Sequence, residues 1–220
     1  MSDTGRNEAG AGEGGLRERK KRRMYETVSE TAIRLFLEKG FDAVSVAEVA
    51  AAAEISKPTL FRYFPAKEDL VLYRIADHED EAARVVREGA APVEALRRHF
   101  LEGIERCDPI TGLNDHPAVL AFHSLVYGTP ALVARMYGYL ERSETALAEA
   151  LGGGLDARLA AGQIVAVQRI LAEENWRRIS AGEPVAEVKK DAVAAAERAF
   201  GLLEAGLPPS LVTSSAHESE

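Results

Sequence analysis

The stretch SKPTLFRYFPAK, residues 56–67, predicts a short helix with one buried and one exposed side. Ser56 is suited to cap it, and Pro58 is tolerated because the first helical turn leaves its N–H groups without partners. Leu60 and Phe64 are four residues apart, so both would face a core, and a second proline ends the helix. The other side chains are polar or aromatic and would point outwards.

A second short helix and a longer one precede this stretch. Residues 47–54, AEVAAAAE, supply small inward side chains, and Ser45 with Glu48 forms the S-x-x-E capping box. Apolar residues at helical spacing over 24–36 predict a first helix that ends near Gly40. Two short helices joined by a tight turn indicate a helix-turn-helix, in which one helix enters the major groove and the other braces it.

The net charge of −8 hides an uneven distribution. Residues 16–74 carry 12 Lys/Arg against 9 Asp/Glu, whereas residues 75–220 carry 14 against 23. A mildly basic segment therefore precedes an acidic body, which favours a polyanionic partner at one end. The basic run RERKKRR at 17–23 is interpreted as an arm that reaches phosphate or the minor groove. The alternative is a solvated basic face.

Residues 25–72 resemble the N-terminal DNA-binding domain of the TetR family of transcriptional regulators. The similarity lies in A-x-x-L-F-x-x-x-G-(F/Y) from Ala32 to Phe41 and in S-x-x-T-L-(Y/F)-x-(Y/H)-F-x-x-K from Ser56 to Lys67. The resemblance implies a homodimeric repressor whose all-helical C-terminal domain binds a small molecule and then releases operator DNA.

Ten residues are predicted to contact DNA: Arg22, Ser45, Ser56, Lys57, Pro58, Thr59, Phe61, Arg62, Tyr63 and Lys67. The resemblance implies phosphate contacts for Ser45 at a helix N-terminus and for Lys67 at the next helix. Arg62 is expected to read guanine, because its planar fork matches the O6 and N7 acceptors. Phe61 stands where the family usually has tyrosine, so it lacks the hydroxyl. It would contact a sugar or a thymine methyl, or fill the core.

The pattern predicts an all-α fold of about nine helices: a three-helix helix-turn-helix head and a helical ligand-binding and dimerisation body. The predicted segments are a disordered tail at 1–15, the head at 16–65, the body at 66–207 and a second tail at 208–220. A long helix near 66–88 would be the hinge between head and body. Further body helices are predicted near 92–106, 117–127, 129–151, 156–181 and 184–205.

The body carries the predicted effector site and dimer contact. The helix at 117–127 is apolar on nearly all sides and is expected to be buried. Residues 123–151 are similar to TetR-family domains that bind acyl-CoA-like ligands, which implies an acyl or other elongated apolar effector. The candidate polar contacts are His99, His123, Arg135, Tyr137, Asn175 and Trp176, each of which has core packing or a satisfied surface role as its alternative. The last two helices carry surplus apolar stripes, and the resemblance implies that they pair with their symmetry mates in a homodimer on a near-palindromic operator.

Other function classes find little support in the sequence. A single cysteine, Cys107, excludes an internal disulfide framework and a Cys-rich zinc site, and no metal or other cofactor is predicted. We find no nucleophile, base and orienting group in an enzyme-like pattern, so the chain is not expected to be an enzyme. No apolar run reaches the length of a membrane span and no signal peptide is recognised, so a cytoplasmic protein is expected. The alternative function is an architectural or partner-regulated DNA-binding factor without a small effector.

Overall fold

The computed structural model describes residues 9–76, 78–89 and 91–212, with side chains for all of these except 9–18 and 210. Within these ranges the chain forms eleven α-helices and one 3-10 turn, and it contains no strand. The predicted all-α class is therefore confirmed. Two compact units divide between Tyr73 and Arg74. The expected division after residue 65 stays a prediction.

The first unit is the three-helix head. It comprises α1 (Ala9–Lys39), α2 (Val46–Ala52), α3 (Lys57–Tyr63) and the first half of α4 (Asp69–Ala76). Its core contains Phe36 from α1 together with Leu60 and Phe64, all almost fully buried. Ser29 is also buried, and its hydroxyl donates to the carbonyl oxygen of Leu70 at 2.8 Å, which ties α1 to α4.

Both predicted tails overlap helices. The first helix begins at Ala9, so 9–15 are helical where a disordered tail was expected, and 1–8 lie outside the described residues. The basic run at 17–23 is likewise part of α1 rather than a flexible arm. Lengthening an existing helix costs less than starting one, and Ala, Glu, Lys and Arg are good helix formers. At the other end a short helix, α11, covers Pro209–Val212, and 213–220 lie outside the described residues.

The second unit is a helical body. After α4 come α5 (Glu81–Glu88), α6 (Pro92–Glu105), the 3-10 turn Pro109–Thr111, α7 (Pro117–Gly128), α8 (Pro130–Ala150), α9 (Gly154–Ser180), α10 (Val185–Gly206) and α11. The core lies among α6, α8, α9 and α10, where the Phe100 and Phe200 rings pack with centroids 6.0 Å apart. The predicted breaks at prolines and glycines are confirmed, because these residues interrupt a helix locally whatever packs against it.

The predicted long hinge helix near 66–88 is wrong, since the structure has α4 and α5 with a turn between them. Glu79 lies in this turn, and its N–H donates to the carbonyl oxygen of Ala76 at 3.1 Å. Helix α8 holds the turn: Arg142 donates to the Glu79 carboxylate at 2.7 and 3.0 Å, and Ser143 donates to the Glu79 carbonyl at 2.8 Å. These tertiary bonds offset the backbone bonds that a continuous helix would have made.

The prediction that the apolar helix at 117–127 is buried is also wrong. Among the side chains of α7 only Val126 is buried, while Pro117 and Ala118 are exposed. The helix packs on α8 and α9 from one side, so its remaining apolar side chains stay half-exposed. Apolar composition on every face does not by itself supply a second packing partner.

None of the helices in the described ranges is, taken alone, both long enough and apolar enough to cross a membrane. The pair α7 and α8 meets that criterion of length and composition only when the two are counted together, and they are bent by 93° at their junction.

Candidate functional site

Helix α3 presents one exposed polar and aromatic face. The N–H of Thr59 donates to Ser56 Oγ at 3.2 Å, so the predicted N-cap is present. Leu60 lies fully buried beneath the helix, as expected. The outward side chains at the first and second turns are Lys57, Pro58, Phe61 and Arg62, and all are exposed. Because these positions repeat at helical spacing, they form a single surface next to the capped N-terminus.

Helix α2 braces this surface. The N–H of Glu48 donates to Ser45 Oγ at 3.1 Å, which is the first half of the predicted capping box. The Glu48 carboxylate instead pairs with Lys39 Nζ, and that hydrogen bond lowers the pKa of Glu48. Val49 and Ala50 are buried as predicted, so small side chains set the distance between α2 and the core.

The aromatic residues of α3 divide into an exposed and a packed one. Phe61 is 41% exposed, with Lys57 Nζ 5.8 Å from its ring centroid, so the alternative that it fills the core is wrong. Tyr63 packs edge-on against Tyr25 of α1 with ring centroids 5.2 Å apart. Arg62 lies over the Tyr63 ring at 5.0 Å and donates to its hydroxyl at 3.3 Å. Tyr63 thus orients the arginine that is predicted to read guanine.

Lys67 has a structural role that the sequence did not reveal. Its ammonium group donates to the carbonyl oxygen of Phe41 and lies 4.3 Å from the centroid of the Phe41 ring and 5.4 Å from that of Phe36. The lysine thereby joins the segment after α3 to the loop after α1. A phosphate contact would use the remaining protons of the ammonium group and stays a prediction.

Arg22 lies on α1 beyond the three-helix core, and it is exposed together with the adjacent basic residues 19–23. Successive helical residues are rotated by about 100°, so these cations point in different directions around the helix. A duplex on one side of α1 would meet only part of the run.

The candidate effector contacts do not form one cluster. His99 lies at the start of the body, where its Nε2 is 3.0 Å from Glu81 Oε1. Asn175 is buried and donates to the carbonyl oxygen of Thr111 at 2.9 Å, so its amide holds the 3-10 turn on α9. Arg135 is exposed, with its guanidinium 5.8 Å from the Tyr139 ring centroid.

An open groove of about 340 Å³ runs between α8 and α9. It is lined by Tyr137, Leu140, Glu141, Glu144, Val165, Ala166 and Arg169. Tyr137, one of the candidate contacts, is 53% exposed at this groove.

The structure does bring His123 of α7 and Trp176 of α9 together. Their rings meet edge to face with centroids 5.9 Å apart, and Tyr127 stacks on Trp176 at 4.9 Å and 25°. His123 Nδ1 and Trp176 Nε1 are buried, and neither atom has a hydrogen-bond partner within the described part of the chain. Burial lowers the pKa of His123 and raises that of Tyr127.

The geometry of the head agrees with a comparison against known protein families. Residues 29–73 match the sequence profile of the TetR N-terminal domain, described as bacterial regulatory proteins of the tetR family. The chain belongs to the TetR family. This TetR-family chain is 36% identical over 135 residues to the HTH-type transcriptional regulator TcmR of Streptomyces glaucescens. The match covers 59% of this chain and 58% of TcmR, so the chain spans less than two thirds of that relative's length.

Solved structures share the fold of the TetR-family chain. A TetR-family regulator of Streptomyces coelicolor superposes with a TM-score of 0.55 at 22% identity, over 83% of this chain and 95% of that one. NalD of Pseudomonas aeruginosa, a repressor of a multidrug efflux pump, gives a TM-score of 0.55 at 16% identity, over 86% and 98% of the two chains. At these identities the likeness shows the helical fold alone.

Sequence reasoning missed Tyr127 in the body. It follows His123 by four residues, and that spacing on a helix places both on one face, so periodicity contained a signal for the pair. Nothing in the sequence indicated that this face would meet Trp176 rather than another part of the body. Across the described ranges, no group of three His, Cys, Asp or Glu residues is arranged to hold a metal ion.

Proposed function

We propose that this TetR-family chain is a transcriptional repressor in the cytoplasm, which binds a near-palindromic operator as a homodimer and is released by a small apolar effector. The observation that carries the proposal is the exposed face of α3, capped by Ser56 and braced by α2. A helix of this length with an outward polar and aromatic surface fits the major groove, where base edges differ between the four base pairs.

The chemistry of that face supports recognition of bases and phosphates. Arg62 offers a planar fork for guanine O6 and N7, and its stacking on Tyr63 limits the rotamers that it must give up on binding. Lys57 is an exposed cation beside the N-terminus of α3 and is placed for phosphate. Phe61 offers an apolar surface for a sugar or a thymine methyl group.

Exposed apolar side chains on α9 and α10 support the homodimer. On α9, Leu155, Leu159 and Ile170 are 69%, 56% and 55% exposed and lie on one helical face. On α10, Leu202 is 75% exposed. Such a surface is costly for a monomer, and a two-fold axis would bury each of these faces against a second copy. Dimerisation would then present two α3 helices to successive major grooves.

The effector part of the proposal rests on the body. A ligand can release DNA only by its differential affinity for two states of the dimer. The unsatisfied atoms of His123 and Trp176 mark a place in the body where a small molecule would gain more than packing. The acyl-type effector that the resemblance implies stays a prediction.

A direct test is the binding of a fluorescein-labelled random-sequence duplex, measured by anisotropy between 50 and 200 mM salt. Removing two head cations with Lys57→Ala/Arg62→Ala should weaken binding and reduce the salt dependence, since each lost phosphate contact lowers the slope by about 0.9. The matched control Lys189→Ala/Lys190→Ala removes two cations from α10 and should leave binding unchanged. Equal losses in the two double variants would contradict a DNA-binding face on α3.

A further inference from the structure

We infer that the effector is a planar fused-ring aromatic molecule that carries both a carbonyl and a hydroxyl group, and that it binds where α7 meets α9, against His123, Tyr127 and Trp176. The inference rests on the proposed function, because it names the chemical class of ligand for the same regulator. It replaces the acyl-type prediction with a class chosen from the side chains that the structure brings together.

Two buried polar atoms require polar groups on the ligand. An unsatisfied buried donor or acceptor costs about 1–3 kcal/mol, and a ligand that completes its hydrogen bond removes that cost. Trp176 Nε1 can only donate, so it needs an acceptor such as a carbonyl oxygen. His123 Nδ1 donates or accepts according to its tautomer, and a hydroxyl group matches both cases. A hydrocarbon chain would satisfy neither atom.

The rings around these atoms favour a flat ligand. Tyr127 stacks on Trp176 with an interplanar angle of 25°, and the His123 ring stands at 89° to the indole. A fused aromatic ring that takes the place of Tyr127 on the indole keeps the offset-stacked geometry that such rings prefer. The edge of that ligand would then face His123.

The two sides of the cluster differ in how firmly they are held. Trp176 sits on α9 where Gly112 of the 3-10 turn packs directly on the helix, so closely that a Cβ there would overlap the carbonyl oxygen of Ala172. The bond from Asn175 to Thr111 fixes the same contact. Tyr127 and His123 lie on α7, which is packed from one side only. The indole is therefore the fixed wall, and α7 is the wall that a ligand would displace.

The single tryptophan of the chain makes the site directly observable, since Trp176 is the only source of indole fluorescence. The experiment titrates the purified full-length protein with 1,8-dihydroxyanthraquinone and measures fluorescence and calorimetric heat. Comparison probes are anthraquinone, which lacks the hydroxyl groups, and dodecanoate. We expect saturable binding of the dihydroxy compound, binding of anthraquinone that is about tenfold weaker, as for one lost hydrogen bond, and no saturation by dodecanoate over the same concentrations.

Variants locate the site. His123→Phe keeps a ring and removes Nδ1, and Tyr127→Leu removes the ring on α7; circular dichroism checks that each variant remains folded. His123→Phe should weaken the dihydroxy probe about tenfold and leave anthraquinone unchanged, because only the former uses the nitrogen. The control Tyr137→Leu removes an exposed ring on α8 and should leave the affinity unchanged.

Three results would overturn the inference: saturating binding of dodecanoate in preference to the rings, no effect of His123→Phe, or an equal loss in Tyr137→Leu, which would place the probe in the outer groove. Binding is measured without DNA, so the proposed function is tested separately. Probe binding without release of a bound duplex supports the inference and contradicts effector-driven release. Release by dodecanoate alone supports the proposed function and overturns the inference.

Discussion

Lys67 Nζ donates to the carbonyl oxygen of Phe41 at 2.5 Å and lies over the Phe41 ring. This contact joins the segment after α3 to the loop after α1, so it fixes one side of the helix-turn-helix. Removing the lysine should therefore affect both the stability of the head and its affinity for DNA.

Lys67→Met keeps the apolar stem and removes the charge. We expect the head to lose about 1 kcal/mol, less than a fully buried charged hydrogen bond because the side chain is only half-buried. Hydrogen exchange in the loop after α1 measures this loss. If the ammonium group also contacts phosphate as predicted, the salt slope of DNA binding falls by about 0.9. An unchanged slope would restrict Lys67 to its structural role.

Gly112 and Gly152 allow a matched test of backbone packing. Both have positive φ, 74° and 99°, but only Gly112 approaches other atoms, namely the backbone of α9 at Ala172 and Trp176. Gly152→Ala should cost about 1 kcal/mol for its left-handed conformation. Gly112→Ala adds a backbone clash and should cost about 2–5 kcal/mol in total, measured by urea unfolding. Equal costs would show that the turn does not pack on α9 as described.

Glu81 predicts an acid-sensitive contribution to stability. Hydrogen bonding from His78, then the charges of His78 and His99, lower its pKa from 4.5 to about 2 despite partial burial. A carboxyl whose pKa is lower in the folded state stabilises the fold above its unfolded pKa and loses that effect as pH falls through its folded pKa. The difference in unfolding free energy between wild type and Glu81→Gln should thus be about 1–2 kcal/mol near pH 5–6 and shrink between pH 4.5 and 2.

Urea midpoints from pH 6 to pH 3 measure the Glu81 effect. The control is Glu88→Gln, an exposed carboxyl on the same helix, and it should show no comparable trend. A constant difference between wild type and Glu81→Gln over this range would contradict the assignment of the low pKa to Glu81.

Leu159→Glu tests the dimer proposed for α9 and α10. Placing a carboxylate at an exposed apolar position buries charge only if a second copy covers it. The variant should therefore sediment as a monomer where the wild-type protein sediments as a dimer. Leu37→Glu, at a leucine of α1 that is 45% exposed, should leave the association unchanged. A dimer that survives Leu159→Glu with wild-type affinity would exclude this face.

The head was largely predictable because its determinants are local. Ser45 and Ser56 cap their helices through residues three positions away, and Leu60 faces the core by helical spacing. The limits of most body helices follow in the same way from prolines and glycines, which act on the backbone whatever surrounds them.

What the sequence could not predict depends on contacts across long separations. The break at Glu79 is held by Arg142, and the exposure of α7 follows from how few neighbours it has. The meeting of His123 with Trp176 joins two helices 53 positions apart in sequence. Periodicity reports which face of a helix is apolar, but it does not report what lies opposite that face.

The central claim is that α3 reads DNA bases as one half of a dimer. Selection of bound duplexes from a random pool, carried out in parallel with wild-type protein and Arg62→Ala, tests it most directly. The account predicts an inverted repeat for the wild type, and for Arg62→Ala a loss of about 1–3 kcal/mol with relaxed preference at a guanine in each half-site. An unenriched pool for the wild type, or the same motif at every position for Arg62→Ala, would contradict it.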